Sequence, residues 1–328
     1  MSSVPDAPSS TNGRLSCSVV VCTYSLDRWG ILTESVGSVL RQATPAEVEV
    51  VVVIDHNEEL LARARHEFPG CTVVANDGPQ GLSAARNTGV RVARGAVVLF
   101  LDDDATVADG WLASHHDAYL DATVIGTAGL VVPRWEAGAP PSWWPHEFDW
   151  VVGCTYIGAP TERVAVRNPI GANMGFRRAA ILDAGGFSAD LGRVGTVPVG
   201  CEETELSIRI AVTHPGTHVL SLPDAACHHL VPATRASWSY FWRRCLAEGR
   251  SKAVVATFAG AGAATAAERT YATRTLPRGV GRALRRGQLR KAAAVIAGLS
   301  ATAAGFATHT VRLKARRPAR GDAPAVEQ

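Results

Sequence analysis

The sequence predicts an α/β protein with a doubly wound, mostly parallel central sheet and a helical appendage at its C-terminal end. Short apolar runs alternate with segments of helical periodicity through the first hundred residues. Continuously apolar runs are typical of parallel strands covered on both faces, and the alternation favours a doubly wound sheet. The 328 residues suffice for one large domain with a sizeable core.

The strands and helices follow one another in a regular order. Residues 18–22 and 48–54 are β-branched runs, and residues 28–41 between them have the apolar spacing of a helix. A glycine-rich loop over residues 185–200 precedes a helix that opens at residues 201–205. The remaining patterns predict strands over 71–75, 96–101, 124–132 and 217–222, and helices over 82–93, 111–119 and 237–256.

Polar residues follow the first four predicted strands. Ligands of a doubly wound sheet bind beyond the carboxyl ends of its strands, so these residues are expected to share one binding edge. They are Thr23 and Tyr24, Asp55 and His56, Asn76 and Asp77, and the run Asp102, Asp103 and Asp104.

The overall composition limits the class of protein and its compartment. The net charge is only +3, which gives no reason to expect a nucleic-acid partner. The seven cysteines are odd in number and no pair has CxxC spacing. A disulfide framework or a zinc knuckle is therefore not expected, and a reducing, cytoplasmic location is predicted.

Four segments are expected along the chain. A disordered leader covers 1–14, the main domain 15–256, a basic, alanine-rich helical appendage 257–318 and a disordered tail 319–328. Within the appendage, residues 292–308 carry no charge and are flanked by basic residues. This run is at the lower limit of length for a bilayer span and is only weakly apolar. We therefore expect an interfacial or packed helix.

The acidic run suits a metal site. Asp102 and Asp104 can face a shared site because alternate side chains of an extended chain point the same way. Three adjacent carboxylates repel one another unless a cation neutralises them. Mg²⁺ or Mn²⁺ held by one or two carboxylates and substrate phosphates is the usual arrangement. A helix cap with a solvated turn explains the run equally well when it is taken alone.

Three further groups suit chemistry at this edge, and each also has a plainer explanation. Arg86 suits a diphosphate, or is a surface arginine of its helix. Glu202 and Glu203 suit a general base, or they stabilise the start of a helix. His228 and His229 suit a metal or phosphate, or are ordinary satisfied polar groups.

An aromatic, proline-rich stretch over residues 135–150 includes Trp143 and Trp144. Aromatic side chains stack well on sugars or prenyl chains, and they also fill protein cores. The stretch is therefore a candidate wall of an acceptor site, with core packing as an equal alternative.

Taken in order, these motifs resemble the inverting glycosyltransferases of family 2, which have the GT-A fold. Within that family the chain is similar to the bacterial branch near the polyprenyl- and dolichyl-phosphate glucosyl and glucuronosyl enzymes. The resemblance covers about residues 16–252. It rests on VVVCTYSLDR (19–28), VVVIDHN (51–57), GLSAARNTG (81–89), FLDDDA (100–105), GANMGFRR (171–178), LGRVG (191–195), GCEETEL (200–206) and HHLVP (228–232).

The resemblance implies donor-binding roles for residues of the predicted sheet edge. Thr23, Asp55 and Arg86 are expected to hold the nucleotide base and the adjoining diphosphate. Asp102 is expected to contact the ribose or the metal, and Asp104 to bind the metal. Many family members have a second aspartate where His56 follows Asp55 here, so the chain departs from the family pattern at a position of base recognition.

The later motifs are given the remaining roles by the same resemblance. Glu203 matches the catalytic base, with Glu202 as the alternative, although the family often has an aspartate at this place. His229 matches a histidine that reaches the metal or diphosphate, with His228 as the alternative. Asn173, Trp143 and Trp144 are expected on the acceptor side.

The implied function is inverting transfer of a sugar from a UDP-, dTDP- or GDP-sugar to a saccharide, lipid-linked or small-molecule acceptor, with Mg²⁺ or Mn²⁺. A peripheral position at the cytoplasmic face of an anionic membrane is also expected. One alternative is a nucleotidyltransferase that makes a nucleotide sugar, although no glycine-rich basic loop follows the first strand. The other is a non-catalytic nucleotide-sugar-binding protein, which the glutamate pair disfavours.

Overall fold

A computed structural model describes residues 15–43, 48–188, 201–259 and 266–316. The predicted leader and tail, and most of the predicted glycine-rich loop, lie outside these residues. The strands are β1 (Cys17–Thr23), β2 (Val48–Ile54), β3 (Thr72–Ala75), β4 (Val97–Asp102), β5 (Ala105–Val107), β6 (Val124–Trp135), β7 (Ala165–Val166), β8 (Asn173–Arg177) and β9 (His218–Val231).

Helices alternate with the strands in the first part of the chain and follow them in the last part. They are α1 (Trp29–Leu40), α2 (Glu58–Glu67), α3 (Leu82–Val92), α4 (Trp111–Ala118), α5 (Arg178–Asp183), α6 (Glu202–Thr213), α7 (Trp238–Ala259), α8 (Ala266–Thr270), α9 (Leu276–Arg285) and α10 (Leu289–Arg316).

The described strands form one mixed sheet with the order β3-β2-β1-β4-β8-β6-β9-β5, and β7 pairs with β9. The first four strands in this order are parallel, with Val19 opposite both Val50 and Leu99. Strand β8 is antiparallel to its two neighbours, and β6 and β9 are parallel to each other. The predicted α/β fold with a mostly parallel sheet is confirmed.

Both faces of the sheet are covered, as the apolar runs predict. In β1, Val19 and Val21 are buried in the larger hydrophobic cluster, whereas Val20 is buried in a second cluster on the other face together with Val51 of β2. Alternate side chains of a strand point to opposite faces. A strand that is covered on both faces therefore places its side chains in apolar surroundings on either side. In β1 and β4 the polar residues accordingly lie at the strand ends or next to them.

Strand β9 is much longer than predicted. The prediction ended the strand at Leu222, but β9 continues through His228 and His229 to Val231. Pro223 and the exposed Asp224 interrupt the apolar pattern there, and the pairing with β6 has a register shift at the same place. Because of this irregularity, the apolar pattern of the sequence does not predict the second half of β9.

The last helix, α10, packs along α7. Gly249 of α7 and Gly305 of α10 lie where the two backbones approach, and a Cβ atom on either would overlap a backbone carbonyl oxygen of the other helix. A Cβ atom on Gly298 of α10 would instead overlap aromatic side chains, those of Phe148 and Phe241. Segment Leu289–Leu313 is long and apolar enough to cross a membrane by length and composition. About a third of that segment is buried inside the protein. The expectation of an interfacial or packed helix stays a prediction.

Candidate active site

Three parallel strands bring their carboxyl ends to one edge of the sheet. Cys22 of β1 is opposite Asp102 of β4, and Thr23 is opposite Ile54, so Asp55 follows at the same level. The backbone N–H of Asp55 donates to the carbonyl of Thr23 at 2.8 Å. The expected binding edge is therefore present.

Antiparallel pairing of β5 with β9 brings His229 to the acidic run. Ala105 of β5 is opposite His229, and the backbone N–H of Leu230 donates to the carbonyl of Asp104 at 2.8 Å. His229 is buried and its Nε2 lies 3.0 Å from Oδ1 of Asp104. His228 is on the opposite face of β9 and is exposed. Of the two predicted histidines, the structure brings His229 to the site.

The side chains of Asp102, Asp104 and His229 form a group that fits a divalent metal. Each offers one ligand atom, and the three atoms lie within 4.8 Å of one another. Carboxylate oxygens suit Mg²⁺ and Mn²⁺, and imidazole suits transition metals. Asp102 remains partly exposed to the cleft, which leaves room for substrate oxygens as further ligands. The residues present therefore fit the predicted cofactor.

Arg28, which the sequence analysis did not assign, lies against the acidic run. Its guanidinium donates to Asp103 and to Oδ2 of Asp104. Burial raises the pKa of Asp104, but the charges of His229, Arg28 and Arg235 outweigh burial and hold that pKa below its usual range. For Asp103, burial prevails over Arg28 and raises the pKa. The run is thus partly neutralised before any metal binds.

Asp55 organises the loop between β3 and α3. Its carboxylate accepts hydrogen bonds from Asn76 Nδ2 at 2.7 Å and from the backbone N–H of Gly81 at 2.9 Å, and it lies 2.8 Å from Nδ1 of His56. Gly81 has a φ of 138°, which favours glycine. Asp55 also lines a small pocket with Thr23. This arrangement shapes the place where a nucleoside is expected.

Arg86 is a buried connector. Only 2% of the residue is exposed. Its guanidinium donates to Glu202 Oε1 at 2.8 Å and to the carbonyl of Gly171 at 3.0 Å, and it lies 3.4 Å from Oδ1 of Asp102. It thereby ties the acidic strand end to the start of α6. These three groups already occupy the guanidinium. The expected contact between Arg86 and a diphosphate stays a prediction.

The two adjacent glutamates have different surroundings. Glu202 is paired with Arg86, whereas no cation of the described chain forms an ion pair with the Glu203 carboxylate. Burial, reinforced by the charge of Glu202, raises the pKa of Glu203 above its usual range. Cys201, just before them, has a φ of 80°, a strained value for a residue other than glycine. An unpaired carboxyl of raised pKa suits a general base.

A cleft of about 770 Å³ connects these groups with the C-terminal helices. Its walls include Asp102, Glu203 and His229, together with Tyr271 and with Leu299 of α10. A pocket of about 90 Å³ adjoins it at the ends of β1 and β2. The two cavities share four lining residues, namely Leu82, Asp102, His229 and Arg235. The volume of the larger cleft is typical of small-molecule sites.

The residues expected on the acceptor side lie elsewhere. Asn173 is fully buried, accepts a hydrogen bond from Trp111 Nε1 at 2.9 Å and donates to backbone carbonyls. Trp144 is also fully buried and donates to Asp149 at 2.7 Å, and Trp143 packs against it. None of the three predicted residues lines the cleft, because each is held by core packing or by core hydrogen bonds. Trp150, from the same aromatic stretch, does line it.

Comparison with known proteins identifies relatives over most of the chain. The family model described as "Glycosyl transferase family 2" matches residues 18–184. Glucosyl-dolichyl phosphate glucuronosyltransferase of Haloferax volcanii is 36% identical over 244 residues, which cover 73% of this chain and 76% of that protein. The succinoglycan biosynthesis protein ExoM of Rhizobium meliloti is 28% identical over 248 residues, or 73% and 75% of the two chains.

Solved structures share the fold. The mannosyltransferase PcManGT of Pyrobaculum calidifontis, in complex with GDP-Man and Mn²⁺, superposes with a TM-score of 0.57 at 22% identity, covering 91% of this chain and 84% of that one. A structure of GalNAc-T7 with UDP, GalNAc and Mn²⁺ gives a TM-score of 0.50 at 21% identity over 67% of this chain. That match spans 45% of GalNAc-T7.

Proposed function

The chain belongs to glycosyltransferase family 2, and we propose that it transfers a sugar from a nucleotide-diphosphate sugar to a hydroxyl of a lipid-linked acceptor, with inversion at the anomeric carbon. One observation carries this proposal. The large cleft is lined by Asp102 and His229 of the metal-ligand group and by Glu203, a carboxyl with no cation partner in the described chain, and Asp104, the third member of the group, lines the adjoining pocket. The leaving diphosphate and the attacking hydroxyl can therefore be bound next to each other.

The strand ends are proposed to hold the donor. The pocket lined by Thr23 and Asp55 would take the nucleoside, and the diphosphate would lie toward the larger cleft. Asp102, Asp104 and His229 would hold Mn²⁺ or Mg²⁺, which supplies Lewis-acid stabilisation of charge on the departing nucleoside diphosphate. Solved structures that share the fold and hold Mn²⁺ with GDP-Man, or with UDP and GalNAc, support this use of the fold.

Glu203 is proposed as the base. As the acceptor oxygen attacks the anomeric carbon, the bond from that carbon to the diphosphate breaks, and Glu203 accepts the proton of the attacking hydroxyl. A single base and a single displacement give inversion. Arg86 would keep Glu202 ion-paired and fix the start of α6, so that the second glutamate remains available in the cleft.

The acceptor is proposed to be a sugar or phosphate carried on a lipid. The Haloferax volcanii relative is named for an acceptor of this kind. The cleft is lined by aromatic and apolar residues such as Trp150, Tyr271 and Leu299. Residue Leu299 also belongs to α10, whose outer face is exposed. A lipid-linked sugar could thus reach the cleft beside this helix.

A peripheral position at the cytoplasmic membrane face is proposed on the basis of α10. An apolar stripe on this helix consists of the exposed residues Leu289, Ala293, Ile296, Ala303 and Val311. Their spacing follows one helical face. Exposed arginines, Arg290 and Arg312, stand near its two ends. A basic helix with one exposed apolar face is typical of interfacial membrane binding.

The test is to identify the products released from a panel of UDP-, dTDP- and GDP-sugars with Mn²⁺ and a polyprenyl-phosphate sugar. We expect a nucleoside diphosphate and a lipid product whose new linkage has the anomeric configuration opposite to the donor. Release of inorganic diphosphate from a nucleoside triphosphate and a sugar phosphate would instead indicate a nucleotidyltransferase. Binding without turnover of any donor would indicate a non-catalytic protein.

A further inference from the structure

We propose that Arg235 binds the diphosphate of the donor, on the side of the metal site that faces the acceptor cleft. The inference deepens the proposed function and rests on it. Arg235 is in the 3₁₀ turn Ala233–Ala236, which follows β9 directly. Neither the predicted motifs nor the metal-ligand group includes it.

The position of Arg235 is at the junction of the two cavities. It lines both the small pocket at the strand ends and the large cleft, as do Asp102 and His229. A nucleotide sugar has its nucleoside at one end, its sugar at the other and the diphosphate between them. When the nucleoside is in the small pocket and the sugar is in the cleft, the diphosphate has to cross this junction.

The guanidinium of Arg235 is available for a ligand. In the part of the chain that the structure describes, it forms no hydrogen bond or ion pair, and the residue is half-buried. The two other arginines nearby are engaged, since Arg28 pairs with Asp103 and Asp104, and Arg86 pairs with Glu202. A half-buried arginine facing a cavity without a carboxylate partner is suited to a phosphate, which it can bind through two N–H groups.

Arg235 is also within electrostatic reach of the acidic run. Arg235 lines the same small pocket as Asp103 and Asp104. A cation placed there would attract the diphosphate toward the metal ligands. It would also stabilise the negative charge that the diphosphate gains as the bond to the sugar breaks.

The experiment compares R235Q with the parent protein by calorimetric titration with Mn²⁺ present. The probe is whichever of UDP, dTDP and GDP the parent binds, together with the matching nucleoside monophosphate. We expect R235Q to weaken binding of the diphosphate about 10- to 100-fold, in line with loss of a charge-assisted hydrogen bond, and to leave the monophosphate within about threefold. R235K should recover part of the loss.

R243Q serves as the matched control. Arg243 is exposed on α7 and lines neither cavity. R243Q should bind both nucleotides like the parent. Unchanged diphosphate binding by R235Q, or an equal loss for diphosphate and monophosphate, would overturn the assignment of Arg235. A parent protein that binds no nucleoside diphosphate would overturn the proposed function itself.

Discussion

At the scale of single residues, the electrostatics of the site converge on Asp104. One carboxylate oxygen accepts from Arg28 and the other faces His229 Nε2 at 3.0 Å. His229 Nδ1 on the other side of the ring lies 3.8 Å from Cys154 Sγ, so the imidazole is held between a thiol and a carboxylate. A ring fixed in this way keeps Nε2 directed at Asp104, where the two side chains can share a metal ion.

Replacement of His229 by glutamine should weaken Mn²⁺ binding by tenfold or more, because a metal ligand and its orientation are both lost. Calorimetric titration of metal-free protein with MnCl₂ measures the effect. H228Q is the matched control, since His228 is the exposed neighbour on the same strand. Equal Mn²⁺ affinity in H229Q and H228Q would remove His229 from the proposed metal site.

The activity of the parent enzyme should rise with pH across the neutral range. Burial and Glu202 raise the pKa of Glu203, and a base acts only when deprotonated, so the ascending limb of kcat/KM against pH should lie above the range of an ordinary glutamate. E203Q should lower kcat by about 10²- to 10⁴-fold and abolish this limb. A profile already flat from pH 5.5 upward would contradict the assignment.

E202Q separates the two glutamates. Glu202 is ion-paired with the buried Arg86, so its neutralisation leaves a buried cation with fewer partners and should lower the melting temperature. E203Q should melt at or above the temperature of the parent, because a carboxyl of raised pKa is unfavourable as a buried charge. The reverse order of stabilities would indicate that Glu202 is the free carboxyl.

At the scale of elements, the sequence predicts well whatever depends on local pattern. The strands of the parallel half and the helix at Glu202 follow from apolar runs and from carboxylates at a helix start. Strand β8 was missed because the segment that contains it is glycine- and asparagine-rich. The choice between His228 and His229 depended on the pairing of β9 with β5, which no local pattern reveals. Arg28 was missed for the same reason, since its partners are more than 70 residues away.

The crossing of α7 and α10 depends on glycine. G305A should destabilise the protein by roughly 1–3 kcal/mol, because a methyl group there overlaps the carbonyl of Leu246 and forces the helices apart. G281A is the control, since nothing lies within 4 Å of its added Cβ in α9. It should leave the melting temperature unchanged or raise it slightly. Equal stability of both variants would show that the helices do not pack closely.

At the scale of the whole molecule, the C-terminal helices are part of the site. Tyr271 donates to the backbone carbonyl of Glu147, and Arg282 pairs with the Glu147 side chain. Leu299 and Thr302 line the cleft. Removal of the predicted appendage at residue 257 would therefore open the cleft as well as remove the proposed membrane contact. Point variants on its outer face test the membrane role without this complication.

I296E should reduce sedimentation with vesicles that contain phosphatidylglycerol, because a charge in the apolar stripe opposes burial in the interface. V212E is the matched control. Val212 is likewise an exposed β-branched residue, 76% accessible against 55% for Ile296, but it is on α6 away from the stripe. Both variants should remain folded, as both positions are exposed. Undiminished vesicle binding by I296E would exclude the stripe of α10 as the membrane contact.

The central claim is that the group Asp102, Asp104 and His229 uses a divalent metal to hold the diphosphate of a sugar donor. The most direct measurement is calorimetric titration of the preferred nucleoside diphosphate into metal-free protein, Mn²⁺-loaded protein and D104N. Binding should be strong only in the Mn²⁺-loaded parent and should fall by at least about tenfold without the metal or in D104N. Equal affinity in all three samples would contradict the claim.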